Sequence, residues 1–123
     1  MENTFNVSVI LPIKTATPKD FNEFLKKAID SVAGQQTKVN ELVIVHTDEE
    51  LLTKTLNDYD FGDLNVKKLV WSDTPNFSKQ VNFGISEASS EWVSVLEFDD
   101  EYSSIWFKNV AKYIDAYPKA QIF

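Results

Sequence analysis

Short apolar runs and helical stripes alternate along the whole chain, and that alternation leaves few architectures open. Val7 to Leu11 is a five-residue apolar-rich run closed by Pro12, the pattern of a buried strand. Phe21, Phe24, Leu25, Ala28, Ile29 and Val32 then recur at spacings of 3, 1, 3, 1 and 3, which puts them on one helical face. Thr17 is expected to cap this helix with Pro18 at its first position and Asp20 near its positive end, and Gly34 to stop it. Glu41 to His46 reads as a second strand. Thr47-Asp48-Glu49-Glu50 resembles a capping box, opening a helix that carries Leu51, Leu52 and Leu56. After a turn-like stretch from Asn57 to Gly62, Asn65 to Val70 reads as a third strand. Ser78 is expected to cap a helix with Val81, Ile85 and Ala88 facing inward. Trp92 to Phe98 reads as a fourth strand. A last helix bears Ile105, Trp106, Val110, Tyr113, Ile114 and Tyr117 and stops before Pro118. Gln121-Ile122-Phe123 reads as the beginning of a fifth strand in which the sequence ends.

This order predicts one α/β domain over residues 1–123, a mostly parallel sheet of about five strands with helices on both faces. In such sheets ligands sit outside the carboxyl ends of the strands, where strand order reverses. The segments to inspect are therefore Pro12–Pro18, His46–Glu49, Val70–Ser78 and Asp99–Ser103.

Composition removes several chemistries from those loops. With no cysteine there is no disulfide scaffold, thiolate metal site or cysteine nucleophile, and a cytoplasmic location fits. The net charge of −7 disfavours nucleic acid and anionic membranes, and no apolar stretch is long enough for a membrane span. The N-terminal segment lacks the basic run of a signal peptide. All 12 basic residues other than His46 are lysines, so no guanidinium is available to clamp a phosphate. The chain has only three glycines and neither a dinucleotide fingerprint nor a P-loop. A lone His46 at a strand end reads as structural before it reads as a ligand.

What remains is Glu97-Phe98-Asp99-Asp100-Glu101. On a strand, Glu97 and Asp99 would point the same way, and two adjacent carboxylates invite a hard divalent cation, Mg2+ or Mn2+. The same acids also suit the N-terminus of the following helix, so both readings stand at this point.

Five segments in order resemble family 2 glycosyltransferases of the GT-A fold. They are Val7-Ser8-Val9-Ile10-Leu11-Pro12, then Ser31-Val32 with Gln35, then Glu41-Leu42-Val43-Ile44-Val45. Asn82 and Gly84 follow, with Ala88 and Glu91-Trp92-Val93, and finally Glu97-Phe98-Asp99-Asp100 at the place of the D-x-D-D metal motif. The resemblance implies the nucleotide-binding half of an enzyme that moves a sugar from a nucleotide-diphospho-sugar, UDP-linked by family habit, to an acceptor. It implies that Pro12, Lys14 and Thr15 wall the base and that His46, Thr47 and Asp48 contact it. Lys79, Asn82 and Gly84 would lie beside the donor. Asp99 would hold the divalent ion, with Glu97 near the ion or the ribose. The chain departs from the pattern in four places. Glu97 replaces an aspartate, His46-Thr47 replaces an acid pair, Val81 replaces an arginine, and Ile13-Lys14 replaces an aromatic or polar residue. The acceptor site and catalytic base are expected in a second half, beyond the strand-5 edge. These departures keep a second expectation open, a non-catalytic glycosyltransferase-like module that meets a partner chain at that edge.

Overall fold

A computed structural model describes residues 4–17 and 19–122. Four strands and four helices alternate: β1 (Thr4–Ile13), α1 (Phe21–Ala33), β2 (Lys38–Thr47), α2 (Glu50–Asp58), β3 (Val66–Trp71), α3 (Phe77–Glu87), β4 (Trp92–Val95) and α4 (Trp106–Ala116). The sheet has four strands in the order β3-β2-β1-β4, all parallel. The expected fifth strand is corrected: Gln121 and Ile122 are not in a strand, and Phe123 lies outside the described residues.

Side-chain alternation on β1 and β2 sorts the core into two layers. Val9 pairs with Leu42 and Leu11 with Ile44, and all four pack with α1, α2 and Phe107 of α4. Ile10 pairs with Val43, and these two join Val45 on the opposite face with Phe83 of α3. Both faces of β1 and β2 are thus covered, which is why their sequences read as continuous apolar runs. Gly84 lets α3 approach closely: a Cβ there would sit 2.7 Å from Ile10 Cγ2 and 2.9 Å from Val45 Cγ2. Both neighbours are β-branched and fully buried, so neither can swing aside. Gly84→Ala gains up to about 1 kcal/mol of helix propensity. Overpacking costs about 1–3 kcal/mol and wins. A lower urea midpoint is the expected result, and an unchanged midpoint would mean that α3 lifts without cost.

The helix ends correct several sequence expectations. Asp20, not Thr17, precedes α1, and no side chain caps it; Pro18 lies outside the described residues. Glu49 precedes α2 without a capping hydrogen bond, because its carboxylate is engaged elsewhere. Asn76, not Ser78, caps α3, its Oδ1 accepting from the Lys79 N–H at 3.0 Å. Ile85, expected inside, is 39% exposed, because Val81 and Gly84 form the buried line of that helix. In α4 the inward stripe is Phe107, Val110, Ala111 and Ile114, so Trp106, Tyr113 and Tyr117 face outward.

Gln35 is fully buried and ties two helices together. Its Nε2 donates to the Ser31 and Ser103 carbonyls at 2.9 and 2.7 Å, and its Oε1 accepts from Phe107 N at 3.1 Å. The end of α1 is thereby fastened to the start of α4, which fixes where the segment after β4 must run.

Candidate functional site

Order reversal between β1 and β4 places the candidate site at the carboxyl ends of the strands. Three cavities share Lys14 there. One of ≈ 380 Å³ is walled by Pro12, Thr15, Phe77, Glu97 and Phe98. A second of ≈ 360 Å³ is walled by Thr15, Thr47, Asp48, Glu49, Trp71 and Asp73, and a third of ≈ 280 Å³ by Pro12, Asn76, Phe77 and Gln80. A larger cavity of ≈ 490 Å³ lies at the opposite end of the sheet, around Lys38, Asn40 and the Phe61–Asn65 turn, and brings together no carboxylate cluster.

The loops lining this cleft are joined by side chains. Thr47 Oγ1 donates to the Lys14 carbonyl at 2.6 Å. Glu49 accepts from Thr15 Oγ1 at 2.6 Å and from the Ala16 N–H at 2.8 Å. The Thr15 bond and then the Ala16 bond hold the Glu49 carboxyl below its usual value. Asp48 is left exposed on the rim. Trp71 packs on Phe83 with ring centroids 5.8 Å apart and donates Nε1–H to the Thr74 carbonyl at 2.9 Å, so its indole is a fixed wall.

The acidic segment is built differently from the sequence expectation. Strand β4 ends at Val95, and Glu97 and Asp99 stand on a turn closed by Asp100 N–H donating to the Glu97 carbonyl at 3.0 Å. Strand alternation is therefore not what aligns them. The turn brings Glu97, Asp99 and also Asp100 together, one carboxylate oxygen of each within 4.8 Å of the others. Phe98 anchors it, stacking on Phe21 at 4.8 Å and meeting Phe24 edge-on at 6.2 Å. Beyond the turn, Tyr102 shares a 2.6 Å hydrogen bond with Ser94, and burial pushes its hydroxyl up to about 12. The three exposed carboxylates, one oxygen of each within 4.8 Å of the others, would offer all-oxygen donors, which suit Mg2+ or Mn2+.

The remaining expected site residues scatter. His46 is 3% exposed, its Nδ1 is 2.9 Å from the Thr47 carbonyl oxygen, and it lines none of the three cavities. Gly84 lies under α3 against the sheet. Lys79 and Asn82 are exposed and wall none of these cavities. Among the described residues Lys14 is the one basic side chain lining the cleft, against Asp48, Glu49, Asp73 and Glu97. Sequence reasoning missed Glu49 and Gln80, whose roles depend on partners 33 to 67 residues away.

A parallel sheet wound both ways from β1, with a carboxylate turn beside its strand ends, has the architecture expected of the N-terminal part of a GT-A glycosyltransferase. The sequence pattern of glycosyl transferase family 2 matches residues 8–123, and the chain belongs to that family. It is similar to the crystal structure of S. aureus TarS 1-349, with a TM-score of 0.70 and 22% identity over 93% of this chain and 33% of that one. The same protein in complex with UDP aligns with a TM-score of 0.71, and in complex with UDP-GlcNAc with 0.70, each at 22% identity over 93% of this chain. The chain thus spans about a third of the length of these relatives. The curated proteins contain no significant match. Among the described residues no helix is long and apolar enough to cross a membrane.

Proposed function

We propose that this domain binds the donor of a glycosyl transfer, a nucleotide-diphospho-sugar, through a divalent cation. The observation that carries the reading is the Glu97–Asp99–Asp100 cluster, set at the rim of a cleft where Lys14 is the one lysine among the described residues. A diphosphate entering this acidic cleft would be repelled without a cation between it and the carboxylates. The UDP and UDP-GlcNAc complexes of the similar TarS structures support the choice of ligand. Asp99 and Glu97 hold the ion, with Asp100 as the third carboxylate. Pro12, Lys14 and Thr15 wall the nucleotide, and Thr47 and Asp48 lie at the base end. When bound, Mn2+ or Mg2+ stabilises the charge of the leaving nucleoside diphosphate. Lys14 adds a point charge, while the Glu49 and Thr47 bonds hold the first two loops together. The acceptor and the catalytic base belong to the whole enzyme, and a cytoplasmic setting is part of the same proposal.

Calorimetric titration of UDP tests this directly. Binding with Mn2+ that vanishes in EDTA is expected. A second reading, a non-catalytic module seated against a partner, draws on exposed apolar side chains at the β4 edge and on α4, where Val93, Val95 and Trp106 are 40, 41 and 43% exposed. Absence of UDP binding under both conditions would favour that reading.

A further inference from the structure

We propose that Gln80 is a positioning residue that sets the width and floor of the nucleotide cleft, a role that rests on the reading above. Its side chain is 2% exposed and uses all its principal hydrogen-bonding capacity on three elements at once. Nε2 donates to the Ile13 carbonyl at 3.2 Å and to the Val45 carbonyl at 3.0 Å, where β1 and β2 end. Oε1 accepts from the Asn76 N–H at 3.2 Å, and the Asn76 carbonyl accepts from the Gln80 N–H at 2.9 Å. Asn76 is itself the cap of α3. One amide therefore joins the last residue of β1, the end of β2 and the first turn of α3. Each leads directly into a loop that lines the cleft, and Gln80 itself lines the ≈ 280 Å³ cavity.

An amide is well suited to this place. Two carbonyls need two N–H donors and one N–H needs an acceptor, the inventory of a glutamine side chain. A methionine would fill the same volume and satisfy none of them, leaving the Asn76 N–H without this partner. Losing the clamp frees the loops at residues 14–17 and 72–76, and the exchange measurement reads that loosening on the ligand-free chain, apart from any contact Gln80 makes from the cavity wall.

The test compares Gln80→Met with Val81→Ala, a cavity-making change one residue along the same helix that lowers stability without touching the clamp. Amide hydrogen exchange is followed by mass spectrometry on the ligand-free chain, and UDP with Mn2+ is titrated into each. In Gln80→Met, exchange in residues 14–17 and 72–76 is expected to speed about tenfold more than in the rest of the sheet, as expected for the loss of one or two net hydrogen bonds. UDP affinity is expected to fall about tenfold. Val81→Ala is expected to show neither the loop-restricted pattern nor the affinity loss. Exchange in those loops no faster in Gln80→Met than in Val81→Ala overturns the proposal. If the unsubstituted chain fails to bind UDP, the nucleotide reading falls while the exchange comparison still decides whether Gln80 positions the loops.

Discussion

Replacing Asp99 with asparagine is expected to weaken Mn2+-dependent UDP binding by about 100-fold or more while leaving the fold intact. Asp99 is exposed and stands on a turn whose closing bond, Asp100 N–H to the Glu97 carbonyl, is made by backbone. Its side chain is thus not needed for the turn, and surface substitutions of this kind stay within about 0.5 kcal/mol in stability. Removing one of three converging carboxylates even relieves mutual repulsion in the metal-free chain. On the proposed reading binding would differ, because Asp99 would be a ligand of the ion, and even changes to the outer partners of metal ligands typically cost about 10–100-fold in metal affinity. Circular dichroism and a urea titration would establish the intact fold. UDP titrations with Mn2+ that agree within threefold between Asp99→Asn and the unsubstituted chain would remove Asp99 from the metal site.

How much of this was legible in the sequence depends on whether the cause was local. Strands β1 and β2 were readable because both faces are buried, so every residue from Val9 to Leu11 and from Leu42 to Val45 had to be apolar. Helix α1 was readable because its buried face follows a strict helical spacing. The capping errors differ in origin: α3 is capped locally by Asn76 two residues before Ser78, whereas at α2 non-local partners compete. Glu49 looked like a helix-opening acid, but Thr15 and Ala16 across the cleft take both its oxygens. In α4 two apolar stripes overlap, and only the docking of Phe107 against Phe5 and Tyr102 decides between them. The acidic motif was found for a reason that the fold then replaced. Alternation on a strand suggested convergence, whereas a turn pinned by Phe98 achieves it. Gln80 had only a faint signal, a glutamine four residues after an asparagine cap. Nothing in its neighbours revealed the carbonyls of Ile13 and Val45.

Glu41 carries the other large expected effect, on stability and its pH dependence. It sits at the start of the buried part of β2, only 2% exposed, far from the cleft. One of its oxygens, Oε2, accepts from Ser8 Oγ at 2.5 Å, Ser89 N at 2.7 Å and Ser89 Oγ at 2.9 Å, while Oε1 lies 3.7 Å from Lys67 Nζ. These contacts tie β2 to β1, to the segment before β4 and to β3. Burial pushes the Glu41 carboxyl up, but the Ser8 and Ser89 hydrogen bonds and the Lys67 charge together outweigh it and hold the carboxyl below 4.5. A carboxyl lowered by folding adds stability that is present above its unfolded value and is lost as pH falls through its folded value. Glu41→Ala takes the carboxylate from both Ser89 donors, leaves Ser8 with Ser90 and Lys67 with the Glu87 carbonyl, and is expected to cost about 3 kcal/mol at neutral pH. Glu41→Gln keeps a carbonyl oxygen for the serines and loses only the charge, costing about 1–2 kcal/mol. Urea denaturation at a series of pH values separates the two contributions. The gap between the unsubstituted chain and Glu41→Gln is expected to be constant at neutral pH and to narrow once the pH drops below 4.5, as the native carboxylate takes up its proton. A gap of the same size at pH values well below that point would show that the carboxylate's charge contributes nothing, and that packing alone makes Glu41 important.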